Sequence, residues 1–147
     1  MKYNKMKNKS LFLALVSGAI SGALILGIAG RTVIALLSLY TGSSINLSLG
    51  GILQNIFLGI IIGSIGGILL FIVKNLFQIN RFNSAILTGL ILFVGSLIFA
   101  VVSDKFVFDG SIIQLFALIV VVMMFLLYGV FAAALLKRVT GNWISYS

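Results

Sequence analysis

The sequence predicts an all-α membrane protein, a bundle of four antiparallel transmembrane helices with both termini cytoplasmic. Three observations predict it. First, 61% of the 147 residues are hydrophobic and 8% are charged, whereas a soluble domain carries about a quarter charged residues. A chain this short leaves much of its surface exposed after folding, which excludes a water-soluble monomer. Second, the charges leave long neutral runs, and the absence of Pro makes long uninterrupted helices easy. Third, the positive charges cluster where a four-span topology puts one side of the membrane.

The single transmembrane domain, 1–147, divides as follows. A helix needs about 20 apolar residues to cross the hydrocarbon core. The first neutral run gives span one at 11–29, preceded by Lys2, Lys5, Lys7 and Lys9. A secretory signal peptide would have a shorter apolar region and a small-residue cleavage site, so an uncleaved anchor is expected. Residues 32–40 (TVIALLSLY) are too few to span. They either extend span one as a tilted helix or bend away near 27–30 to lie at the outer interface, with Tyr40 as an anchor. The stretch 41–51 (TGSSINLSLGG) is the expected break before span two at 51–73. Lys74 and Arg81 bracket the turn into span three at 84–102, and Lys137 and Arg138 follow span four at 112–136. With both ends inside, eight of the ten positive charges are cytoplasmic; Arg31 and Lys105 are not. The net charge of +8 is then a topology signal with some attraction to anionic lipid, and nucleic acid drops out as a partner. The runs lack the period-2 alternation of a membrane β-barrel.

Glycines mark the expected contacts between helices. Gly59, Gly63 and Gly67 recur every four residues in span two, and Gly18 and Gly22 do so in span one beside Ser17 and Ser21. In lipid, small residues let backbones approach for close packing. Spans one and two are therefore expected to pair through these faces, with a homo-oligomeric contact through the same glycines as the alternative. Met123 and Met124 read as fillers of packing gaps.

The remaining polar residues converge on the outer side: Arg31, Gln54, Asn55, Asp104, Asp109 and Gln114. One reading is a polar pocket in which Arg31 contacts an anion or phosphate and an aspartate holds it in place. The other is that Arg31 snorkels to the interface or forms one structural ion pair. Gln54 and Asn55 then serve as interhelical hydrogen-bond donors. The chain has no His and no Cys, so disulfides, thiol chemistry and the usual zinc sites are excluded. No span holds an ionisable carboxylate, no dinucleotide or phosphate loop occurs, and no nucleophile has a base beside it. The expectation is a protein that is not an enzyme and takes no cofactor. Its partners are membrane lipids and either a membrane-protein partner or further copies of itself.

Two resemblances follow from GIAGRTVIALLSLYTG at 27–42 and LSLGGILQNIFLGIIIGSIGG at 47–67. Over roughly 18–73 the chain resembles uncharacterised bacterial four-helix integral membrane proteins, in Gly30-Arg31, Thr41-Gly42 and Gly50-Gly51. That likeness implies an inner-membrane bundle and no activity. Gly30-Arg31 and the segment 51–55 also resemble elements of the small fluoride-channel family, which implies roles for Arg31 and Asn55 in folding or a pore. Span three departs from that family in lacking a Phe/Thr/Ser-rich break, and the eight-to-two charge bias departs from its dual orientation. Three roles follow: an accessory or interaction subunit, a small oligomeric channel or transporter, or a binder of lipid or lipid-linked precursors.

Overall fold

The computed structural model describes residues 2–40, 48–77, 80–102 and 111–140, and all of them except the capping residues Ser48, Asn80 and Ser111 are helical. Helix α1 runs Lys2–Ser21, passes into a π-helical segment at Gly22–Ala29, and continues as α2 at Gly30–Tyr40. The three stretches form one helical rod, which we call helix one. Helices α3 (Leu49–Phe77), α4 (Arg81–Val102) and α5 (Ile112–Thr140) follow. Four segments are long and apolar enough to cross a membrane: Ser10–Val33, Leu49–Phe77, Arg81–Phe99 and Ile112–Thr140.

Local chemistry explains where these helices begin. Ser48, Asn80 and Ser111 precede α3, α4 and α5, and each residue type is a favoured N-cap. Ser48 accepts from Gly51 N–H through its hydroxyl (3.1 Å) and from Ile52 N–H through its carbonyl (3.1 Å). Ser111 treats Gln114 and Leu115 in the same way, at 3.2 and 3.1 Å. Cations stand in the last turns of α3 (Lys74) and α5 (Lys137 and Arg138), where the helix dipole is negative. The expected break before span two lies in part outside the described residues, and Gly50 and Gly51 belong to the first turn of α3. Helix one is not interrupted at 27–30 either: Gly30 is helical (φ −58°, ψ −44°), and its N–H reaches the carbonyls of both Gly27 and Ile25. The deviation there is a change of helix type.

The core mixes large and small residues: Leu70, Phe71, Val73, Phe125, Tyr128 and Leu136 are buried beside the small or hydroxylated Ala14, Ser17, Ser21, Ala85, Thr88 and Ala132. Many other large apolar side chains point outward, with Phe57 64%, Phe99 71% and Ile119 60% exposed. Such continuous apolar surface is at home facing lipid tails. Three buried hydroxyls bond within their own helices, Ser17 to Ala14 O (3.0 Å), Ser21 to Ser17 O (2.7 Å) and Thr88 to Ser84 O (2.8 Å).

The tightest approach joins helix one to α3. A methyl group added at Gly18 would fall on the Gly63 carbonyl oxygen and 2.6 Å from Gly67 Cα; one at Gly22 would fall on Gly59 O and 2.7 Å from Gly63 Cα. A methyl group at Gly67 would strike the Ala14 carbonyl. Helices α4 and α5 make a second close crossing, which the sequence pattern did not single out. Gly89 lies against the Phe125 carbonyl, Gly129 against that of Ala85, and Phe93 meets Phe125 edge-on at 6.1 Å. Tyr128 links the two pairs: its fully buried hydroxyl donates to Gly63 O at 2.7 Å. Of the two methionines expected to fill gaps, Met124 reaches Gly30, whereas Met123 is 54% exposed and points outward.

Three substitutions test this packing by unfolding in detergent. Gly63→Ala drives a methyl into helix-one backbone and should destabilise by about 2 kcal/mol. Gly95, with nothing within 4 Å, should accept Ala with no loss. Tyr128→Phe should cost about 1 kcal/mol by leaving the Gly63 carbonyl without its donor.

Candidate functional site

The candidate polar site is built on Arg31. Helical residues four apart lie on one face, so Arg31 shares a face with Gly27, one turn before it. Gly27 is pressed onto α3: a Cβ there would lie 2.8 Å from Ile56 Cα and 3.2 Å from Asn55 O. Arg31 is thereby aimed at the start of α3. A Cβ built at Gly51 would lie 3.2 Å from Arg31 Nη2, 3.6 Å from its Cζ and 3.1 Å from the Ser48 hydroxyl. The guanidinium therefore covers the glycine in the capped first turn of α3, and its Nε is buried. Any larger residue at 51 would compete for that space.

The electrostatics follow from this placement. The N-terminus of α3 carries partial positive charge from its unsatisfied N–H groups. Arg31 adds a full positive charge beside it. Two positive sources meet at one helix end, and an anionic group placed there would relieve the repulsion between them. The planar, multi-donor guanidinium suits carboxylate and phosphate.

The other sequence-predicted residues are distributed differently. Asn55 is half-buried one turn into α3, with its backbone carbonyl against Gly27. Gln54 is exposed and lies off the row that faces helix one. Gln114 is half-buried in the first turn of α5, where its N–H is capped by Ser111. Met124, the α5 residue that reaches Gly30, lies ten residues further on, about 15 Å along the helix axis. Asp104 and Asp109 lie outside the described residues. Among the described residues, the close placement is that of Arg31 over the Ser48–Gly51 turn. The sequence offers Ser48 and Gly51 as parts of a break; Ser48, a favoured N-cap type just before the apolar run, was the signal for its capping role.

Gly51→Val should displace the guanidinium and destabilise the protein by about 1–3 kcal/mol in detergent unfolding. Arg31→Ala should lose a similar amount, and Arg31→Lys should not restore it, because an ammonium cannot lie flat over Gly51. Equal stability of Gly51→Val and the parent would mean that the guanidinium does not use this space. Comparison with family models, with characterised proteins and with solved structures gives no match to this chain.

Proposed function

We propose that the protein is a non-enzymatic, multi-pass accessory or interaction subunit of the cytoplasmic membrane, with antiparallel helices and both termini inside. One observation carries the choice of a subunit over a pore. The glycine row of α3 is taken up within the chain by helix one, whereas an oligomeric channel would use that row between copies and turn a polar stripe to the axis. The outward surface instead presents large apolar side chains such as Phe57, Phe99, Ile119 and Leu127.

The antiparallel arrangement rests on the order of contacts. Gly18 meets Gly63 and Gly67, while Gly27, further along helix one, meets Asn55 and Ile56. Ala85 likewise meets Gly129, while Gly89 meets Phe125. The orientation rests on Lys74, Arg81, Lys137 and Arg138, which such an arrangement gathers at one end, together with the four N-terminal lysines. A second reading, binding of an anionic lipid headgroup on the outer side, is favoured by the guanidinium of Arg31 at the capped start of α3.

Native mass spectrometry from mild detergent, with ion flux in proteoliposomes, tests the proposal. The expected result is a stoichiometric complex with a second membrane protein and flux no greater than in protein-free vesicles. A pure homo-oligomer that conducts ions would replace the subunit with a channel. Retained anionic lipid that is lost in Arg31→Ala would favour the headgroup reading. Since the chain has no Cys, a cysteine introduced at Lys137 should react with an impermeant maleimide in right-side-out vesicles only after permeabilisation.

A further inference from the structure

The rows of residues that face each other across helix one and α3 do not have the same spacing. On α3 the row is Gly51, Asn55, Gly59, Gly63 and Gly67, each four residues after the last. Facing it on helix one are Arg31, Gly27, Gly22, Gly18 and Ala14. The steps from Ala14 to Arg31 are four, four, five and four. Positions 14 and 31 are 17 residues apart where positions 51 and 67 are 16 apart, so helix one must absorb one extra residue to keep its row on α3. The extra step, Gly22 to Gly27, falls within the π-helical segment Gly22–Ala29. A π turn closes its hydrogen bond over five residues instead of four.

An ordinary α-helix through this stretch would bring Leu26 rather than Gly27 onto the face after Gly22. The opposing α3 backbone leaves no room there: a mere Cβ at Gly27 already lies 2.8 Å from Ile56 Cα. It would also turn Arg31 away from Gly51 by about 100°, the rotation of one residue. From the α3 side, a Cβ at Gly59 would lie 2.5 Å from Gly22 O and 2.8 Å from Gly27 N, the acceptor and donor that a five-residue closure joins. The backbone of α3 thus sits directly on the widened turn.

We infer that the π segment is a register device held in place by docking on α3, and that it sets the rotation of α2 that lays Arg31 over Gly51. A π turn is rarely stable by itself. Helix one undocked from α3 would relax to α geometry and swing Arg31 off the start of α3. The device therefore couples the glycine packing in mid-helix to the position of the one arginine at its far end. This conclusion stands independently of the accessory-subunit reading.

Single-residue deletions in the full chain test it. Leu24, 44% exposed between Gly22 and Gly27, is the residue to remove. Its deletion gives helix one the same regular four-residue spacing as α3 and abolishes the need for a π turn. Ile20, 49% exposed between Gly18 and Gly22, is the control. Deleting it shortens the same helix equally but leaves a three-residue step. The expected result is that the Leu24 deletion unfolds within about 4 °C of the parent, while the Ile20 deletion and an Ala inserted after Leu24 each lose about 10 °C or more or fail to fold. A lone cysteine in Arg31→Cys should react with maleimide equally fast with and without the Leu24 deletion. The inference is overturned if deleting Leu24 is as damaging as deleting Ile20, or if it changes the reactivity of position 31 severalfold.

Discussion

The close approach of two backbones, helix one and α3, is the constraint on which the rest of this molecule depends. Gly18 and Gly22 meet the carbonyls of Gly63 and Gly59 with no side chain between them. In lipid, burial of apolar surface does not drive helices together, so dispersion between closely fitted backbones must do so. That contact decides which face of α3 is turned inward. It leaves the Gly63 carbonyl in reach of Tyr128 from α5, whose hydroxyl completes the buried junction. The two tight pairs are thereby tied together at one level of the bundle.

The burial of hydroxyls and the outward display of large apolar residues follow from the same solvent. Ser17, Ser21 and Thr88 are buried because a hydroxyl that bonds to a carbonyl of its own helix is compact and self-satisfied. Phe57, Phe99 and Ile119 face outward because hydrocarbon chains receive them as readily as a protein interior does. Water would reverse both preferences. The π segment belongs to this account as well. A row with one residue too many is kept on its partner by widening one turn, because the alternative would push Leu26 into the α3 backbone.

Arg31 gains its definite position from these larger constraints. Its own neighbourhood in sequence, Gly30-Arg31-Thr32, fixes only that it lies in a helix. The spacing back to Gly27 gives its direction, and Gly51 gives it room. The guanidinium is thus held at the capped start of a 29-residue helix. The proposed subunit role leaves the large outward faces for lipid and for a partner helix.

The solvent, the number of helices and one of the two tight pairings are legible along the chain alone. Twelve charges in 147 residues mark the ends of apolar runs, and run length against bilayer thickness is a local property. The four-residue recurrence of Gly59, Gly63 and Gly67 is likewise visible along one chain. The second pairing was not legible: Gly89 and Gly129 are single glycines among bulky residues, and only the partner carbonyls of Phe125 and Ala85 give them meaning. Nor was the assembly of the site, since Gln54 and Asn55 are adjacent in sequence yet differ in exposure through the 100° turn between them. The π segment is the clearest case. The step of five from Gly22 to Gly27 is written in the sequence, but it becomes a distortion only against the strict fours of α3. A mismatch between two rows exists only once tertiary structure has brought them face to face.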